Sequence, residues 1–259
     1  MTQPYRPKKY LGQNFLIDQR VQQKIIAGCQ FRADDIAVEI GPGKGAITRL
    51  AAPYVQRLIC VESDQDLIAP LEKEFQGAHV EIIHADFLKW GMVLPGKVKV
   101  LGNIPYYIST PIIEKLIENR RNITSAYLTV QVEFGSRLAA QPGSKEYGAL
   151  TCFAQYYADV KVLFKIKNTC FYPVPKVDSC FVRMDFLKIR IRQPKDEAMM
   201  FRVIRAAFTQ RRKNILNALS PLIEKERLSV ILEEAGIPSR ARPEELNLDN
   251  FIAISDHLV

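Results

Sequence analysis

Val38-Glu39-Ile40-Gly41-Pro42-Gly43-Lys44-Gly45-Ala46 runs a short apolar strand into a glycine-rich turn, and residues 46–52 behind it read as a helix. A strand, a glycine loop and a helix in that order let backbone N–H groups and a helix N-terminus approach a ligand at the carboxyl end of a parallel sheet. Around this unit the pattern repeats. Residues 18–29 carry Val21, Ile25 and Ile26 at helical spacing, with Asp18 as the cap. Strands are expected at 58–61, 80–83, 98–101 and 126–132, with helices at 64–75 and 110–118. Such alternation predicts an α/β domain with a mainly parallel sheet wrapped by helices. After about residue 150 the apolar stretches 160–166 and 180–186 leave no room for a helix between them, so they are expected as late strands closing the sheet. From residue 195 the pattern is helical. The polar, basic stretch 188–194, ended by Pro194, is the expected boundary. The predicted organisation is therefore a Rossmann-like domain over 1–189 and a helical C-terminal domain over 190–259.

The loop alone leaves its ligand open. Gly41, Gly43 and Ala46 satisfy G-x-G-x-x-A, so a dinucleotide is a competitor, and Glu62, 21 residues beyond Gly41, would hold ribose hydroxyls in either case. Two features favour S-adenosylmethionine: Glu39 immediately before the loop with the extra Gly45, and Ala85-Asp86-Phe87-Leu88 after the third strand. There Asp86 would accept adenine amino hydrogens and Phe87 would flank the ring. Taken singly, Asp86 also reads as a helix cap and Glu62 as a solvated strand-end carboxylate.

Asn103-Ile104-Pro105-Tyr106-Tyr107 follows the strand at 98–101. Asn-x-Pro is a common turn start. It also suits methylation of an exocyclic base amine, whose lone pair is delocalised into the ring. The Asn103 carboxamide oxygen and a carbonyl held by rigid Pro105 would accept both N–H hydrogens, and Tyr106 offers a face on which the base stacks. Hydrogen bonds that strengthen as the nitrogen becomes tetrahedral stabilise the transition state more than the ground state.

Composition narrows the classes. With 259 residues, 47% of them hydrophobic, the chain suits one large domain or a main domain with an appendage. No apolar run has the length of a membrane span, and the basic start lacks the apolar core of a secretory signal, so a cytoplasmic protein is expected. The five cysteines form no C-x-x-C pair and read as reduced thiols; with only three histidines and no cluster, no metal site is expected. Lys and Arg number 36 against 28 acidic residues, for a net charge of +8. That tilts the partner toward nucleic acid. Basic clusters lie at Arg6-Pro7-Lys8-Lys9, Arg120-Arg121, 161–167, 188–192 and Arg211-Arg212-Lys213.

These separated motifs together resemble the KsgA/RsmA family of ribosomal RNA adenine N6-dimethyltransferases over nearly the whole chain. Tyr10-Leu11-Gly12-Gln13-Asn14-Phe15-Leu16 is similar to the family's entry motif, which implies cofactor contacts from Asn14 and Leu16. The glycine loop implies Gly41 against the methionine part, and Glu62 and Asp86 match the ribose and adenine acids. Asn103-Ile104-Pro105-Tyr106 matches the catalytic tetrapeptide, with Asn103 also lining the cofactor pocket. Phe171-Tyr172-Pro173-Val174-Pro175-Lys176-Val177-Asp178-Ser179 resembles the F-x-P-x-P-x-V-x-S loop. Its prolines would hold Phe171 as a second aromatic slab opposite Tyr106; the plainer reading tucks Phe171 into the core.

The resemblance implies a class I S-adenosylmethionine-dependent fold. It also implies a monomer that dimethylates two adjacent adenines near the 3′ end of small-subunit ribosomal RNA, in a pre-ribosomal particle. Ile104 and Tyr107 depart from the Leu and Asn common in bacterial members. With Ile108-Ser109-Thr110 and Lys44 they bring the Erm enzymes of large-subunit RNA close. Gly143-Ser144-Lys145-Glu146-Tyr147-Gly148, the entry motif and Phe208-Thr209-Gln210-Arg211-Arg212-Lys213 side with KsgA. A non-catalytic assembly factor is the reading from another class, and a nicotinamide dehydrogenase the weakest, since no His or Lys stands out as its proton carrier. In the C-terminal region Phe201, Ile204, Phe208, Ile215 and Leu219 share one helical arc, which predicts one amphipathic helix with a basic face for phosphates.

Overall fold

The computed structural model describes residues 5–186, 192–210 and 212–259. Its strands are β1 Phe15–Leu16, β2 Ile36–Ile40, β3 Arg57–Glu62, β4 Val80–His84, β5 Val98–Asn103, β6 Ile123–Gln131, β7 Ala158–Ile166, β8 Phe171–Tyr172 and β9 Ser179–Phe186. The helices are α1 Gln19–Cys29, α2 Ala46–Ala51, α3 Gln65–Glu74, α4 Ser109–Glu118, α5 Val132–Leu138, α6 Ala149–Tyr157, α7 Glu197–Thr209, α8 Ile215–Leu219, α9 Lys225–Glu234 and α10 Leu248–Asp256. Every strand and helix expected before residue 132 is present within a few residues. The chain divides into two compact units, Met1–Gly135 with Asp159–Phe186, and Ser136–Ala158 with Leu187–Val259.

The first unit is built on a seven-stranded sheet in the order β4-β3-β2-β5-β6-β9-β7. Strands β4, β3, β2, β5 and β6 run parallel, and β9 joins β6 antiparallel. Helices on both faces demand central strands that are buried on both sides, and the apolar centres of β2 and β3 meet this: Ala37, Val38, Leu58, Ile59, Cys60 and Val61 are all 2% exposed or less. Asp18 caps α1 by accepting the N–H of Val21 at 3.1 Å. The strand order reverses between β2 and β5, so the loops leaving Ile40 and Asn103 diverge and open a crevice at their carboxyl ends. Gly102 lets those ends come together. It pairs with Ile40, and a Cβ added there would lie 3.0 Å from the Ile40 Cβ and 3.1 Å from its carbonyl oxygen.

Three expectations change. The two-stranded ribbon of β1 and β8 was not foreseen; it pairs Leu16 with Phe171 antiparallel. Residues 136–158, read as part of the first domain, belong to the second unit. There the α6 rings of Phe153, Tyr156 and Tyr157 pack on Phe201 of α7 with centroids 5.5, 5.4 and 5.9 Å away. The expected boundary at 189/190 lies outside the described residues, as do most of the 188–192 cluster and Arg211. Finally, the single helix expected through residues 201–219 is two. Asn214 accepts the N–H of Asn217 at 2.9 Å and starts α8 afresh, and the N–H of Ile215 turns aside to the carbonyl of Ala241 at 2.7 Å.

Candidate active site

Side chains from five segments of the first unit converge on a cavity of about 340 Å³ at the carboxyl ends of β2, β3 and β5. That is within the usual range for small-molecule sites, roughly 300–1,000 Å³. Asn14, Leu16, Gly41, Glu62, Asp86, Asn103, Pro105 and Tyr106 all line it. Residues spread over more than ninety positions of sequence are therefore brought to one cleft.

The glycine loop owes its course to backbone freedom and close packing. Gly41, Gly43 and Gly45 have φ of 65°, 58° and 74°, a left-handed run that side chains rarely adopt. A Cβ at Gly43 would also stand 2.9 Å from the Phe15 ring. The loop is then tied to the next strand, since the Gly43 N–H donates to Glu62 Oε2 at 2.9 Å. Glu62 Oε1 accepts the N–H of Asp64 at 2.8 Å, so the carboxylate is oriented through both oxygens.

Two buried acids face this end. Glu39 is 3% exposed and accepts the Thr48 hydroxyl at 2.7 Å. Burial pushes its carboxyl up to about 7, against the downward pull of the Thr48 and Cys60 hydrogen bonds. Burial likewise raises Glu62, with the backbone N–H groups of Asp64 and Gly43 opposing it. Asp86 is exposed, and its Oδ1 accepts the Leu88 N–H at 2.9 Å. Asp86 therefore starts a turn over residues 87–89 rather than capping a helix, and it stands in the lining of the cavity. Phe87 beside it is buried.

At the other end, Asn103 Nδ2 donates to the carbonyl of Asn14 at 2.8 Å. A backbone carbonyl can only accept, so this contact fixes which end of the carboxamide is nitrogen and turns Oδ1 the other way. The Pro105 carbonyl accepts the N–H of Ile108 at 3.2 Å and begins a short 3₁₀ turn that carries Tyr106. The Tyr106 hydroxyl lies 2.8 Å from Ser179 Oγ. Burial raises that phenol, so Tyr106 stays neutral. Ser179 belongs to the loop motif that suggested Phe171, yet its contact with Tyr106 had no signal in the sequence; 73 positions separate the pair.

Phe171 is a correction. It is 1% exposed and is absent from the lining of the cavity. Its pairing with Leu16 turns both side chains into the cluster that also holds Ile25, Ile166 and Phe181. Burying an aromatic ring of this size contributes about 1.5–3 kcal/mol, which favours the core over an open loop. The aromatic ring that the loop exposes is Tyr172, at 58%.

The lining of the cavity matches the groups of the expected cofactor. Glu62 would offer acceptors to a ribose diol, Asp86 an acceptor to an adenine amine, and Phe87 an apolar flank. A Cβ on Gly41 would meet nothing within 4 Å, so the loop leaves open space beside the backbone. The residues fit S-adenosylmethionine. Among the described residues no group of three or more His, Cys, Asp and Glu side chains could hold a metal ion. Nor is any helix there long and apolar enough to cross a membrane.

The model of the family described as ribosomal RNA adenine dimethylase matches residues 5–258. The ribosomal RNA small subunit methyltransferase A of Clostridium acetobutylicum is 41% identical over 260 residues, covering 98% of this chain and 94% of that protein. Its namesake in Moorella thermoacetica is 41% identical, covering 96% and 91%. Among solved structures, a dimethyladenosine transferase from Plasmodium falciparum superposes with a TM-score of 0.82 at 25% identity, covering 93% of this chain and 95% of its own. The 23S rRNA methyltransferase ErmE superposes with a TM-score of 0.78 at 25% identity, covering 95% and 99%.

Proposed function

Since the chain belongs to the ribosomal RNA adenine dimethylase family, and is thereby an S-adenosylmethionine-dependent rRNA adenine dimethyltransferase, we propose that its targets are two adjacent adenines near the 3′ end of small-subunit RNA. The relatives named for the small subunit support this choice at 41% identity, against 25% for ErmE. We place the reaction in a cytoplasmic pre-ribosomal particle, with the protein acting as a monomer in ribosome biogenesis.

The orientation of Asn103 carries the mechanistic reading. Asn14 holds the carboxamide nitrogen, so Oδ1 accepts one N–H of the adenine amine. The carbonyl of the Ile104–Pro105 peptide accepts the other, since the carbonyl of Pro105 itself is engaged by Ile108. The amine is thereby drawn toward tetrahedral geometry before attack, which stabilises the transition state preferentially. When bound, S-adenosylmethionine would supply a methyl group on a good leaving sulfur; the methylated amine loses its extra proton to water afterwards, so no strong base is needed before attack and Asn103 only positions. Tyr106, pinned through its hydroxyl by Ser179, offers its ring to the base; such stacking contributes about 1–3 kcal/mol. With Phe171 in the core, the clamp proposed here rests on Tyr106. The adenine enters unstacked or extruded from its helix. Asn14, Leu16, Gly41, Glu62 and Asp86 are proposed as the cofactor shell.

The deciding experiment offers labelled cofactor with small- and large-subunit particles in parallel and maps the methylated adenines. Methylation confined to small-subunit particles supports the proposal. Label in the large subunit alone overturns it in favour of the Erm-type reaction, and label in neither favours a non-catalytic assembly factor.

A further inference from the structure

Lys8 belongs to one of the chain's basic clusters, and the structure ties it inward. Asp64 has a side chain with no exposed surface, and its carboxylate gathers three donors from the N-terminal segment. Lys8 Nζ reaches Oδ1 at 2.5 Å, Tyr5 Oη donates to Oδ2 at 2.5 Å, and Gln13 Nε2 donates to Oδ2 at 2.7 Å. Gln13 Oε1 closes the ring by accepting the Lys8 N–H at 2.7 Å, and Lys8 also pairs with Asp66 at 2.7 Å. Asp64 needs none of these to cap α3, for which the N–H of Asp66 at 3.1 Å suffices.

The hub touches the cofactor site twice. The N–H of Asp64 holds Glu62 Oε1 at 2.8 Å, and the segment it anchors runs on through Gln13 to Leu16, all lining the cavity. Beyond the anchor, the carbonyl of Asn14 receives Asn103. The segment is thus strung between the start of α3 and the acceptor loop, along one wall of the pocket.

We propose that Tyr5 and Lys8 are positioning residues: with Gln13 they latch residues 5–16 onto Asp64, and cofactor affinity, more than the rate of methyl transfer, depends on the latch. The inference rests on the reading of the pocket as a site for S-adenosylmethionine. An unlatched segment occupies the binding-competent arrangement for only part of the time, and apparent affinity falls by that fraction. Charge-assisted hydrogen bonds to a buried carboxylate are the strong kind, so losing two of them shifts the population appreciably. Burial alone would raise the Asp64 carboxyl, yet the hydrogen bonds from Lys8, Tyr5 and Gln13 hold it below its ordinary value, in keeping with a charged hub.

The test titrates S-adenosylhomocysteine into the full chain by calorimetry, and measures KM for the methyl donor and kcat on saturating RNA substrate. Tyr5→Phe/Lys8→Met is expected to weaken binding tenfold or more and raise that KM in parallel, with kcat within twofold. Tyr5→Phe alone, which removes one hydroxyl, should show a smaller loss of the same kind, and Tyr5→Phe/Lys8→Arg should recover part of it. Hydrogen exchange over residues 5–16 should quicken in the variants and slow again with S-adenosylhomocysteine. Binding within twofold of wild type in all variants, or a fall in kcat with unchanged KM, overturns the latch. A wild-type chain that does not bind S-adenosylhomocysteine overturns the cofactor reading beneath it, and the latch with it.

Discussion

Asn103 Nδ2 donates to the backbone carbonyl of Asn14, 89 positions earlier, at 2.8 Å. One hydrogen bond thus joins the entry segment to the acceptor loop and decides where the carboxamide oxygen points. Asn103→Ala removes that oxygen. Loss of a preorganised polar group at a reacting centre costs about 100- to 1,000-fold. Methyl incorporation into RNA should fall at least that far, while the thermal midpoint moves by no more than a few degrees. Near-normal incorporation with purified substrate would sink the role given to Asn103.

Ser179→Ala separates positioning of the base from binding of the cofactor. The variant frees the Tyr106 hydroxyl at a net cost of about 1 kcal/mol. The ratio kcat/KM for RNA should drop roughly fivefold, as that energy implies. Affinity for S-adenosylhomocysteine should stay as it was. A loss of cofactor affinity instead would show that Ser179 acts on the other side of the pocket.

Phe171 and Tyr106 are expected to part company when each is truncated. Phe171→Ala empties a buried site and should destabilise the fold by about 3–5 kcal/mol in urea unfolding. Tyr106→Ala should cut kcat/KM by at least about tenfold, through lost stacking, at much smaller cost in stability. A Phe171→Ala protein of wild-type stability would contradict its place in the core.

Glu39 makes stability depend on pH. Its carboxyl sits near 7 in the folded chain against an ordinary 4.5, chiefly through burial. The folded state therefore holds the proton more tightly than the unfolded one. Below about pH 4.5 both states are protonated and Glu39 costs nothing; as pH rises past about 7 the folded state carries a buried charge, and stability is lost across that window. Glu39→Gln keeps an acceptor for Thr48 and should raise the unfolding free energy at pH 8.5 by about 3 kcal/mol. The gain should vanish near pH 4.5. An equal gain at both pH values would mean that Glu39 is not the titrating group.

Much of the architecture follows from near neighbours in the chain. The apolar run into Gly41-Pro42-Gly43-Lys44-Gly45, the cap at Asp18 and the alternation of strands and helices depend on local backbone preference, and the structure reproduces them. The acids at the ends of β3 and β4 and the turn at Asn103 were equally visible, because parallel strands deliver their carboxyl ends to one edge. Where the pattern was read too simply, a local competitor won: Asn214 capped a new helix inside an arc that looked continuous.

The partners of those residues had no such signal. Phe171 could serve a clamp or a core, and its pairing with Leu16 chose the core. Asp64 is the helix start that the pattern shows, but Tyr5, Lys8 and Gln13 on its carboxylate left no mark in the nearby sequence. The amino-acid sequence alone determined the α/β order, the loop chemistry and the family resemblance, since these rest on backbone propensity and on residues a few positions apart. Tertiary structure alone decided which way Asn103 faces, what holds Tyr106 and where Phe171 goes. Those outcomes depend on hydrogen bonds and packing between segments from 73 to 155 positions apart, whose registers only the closed sheet brings together.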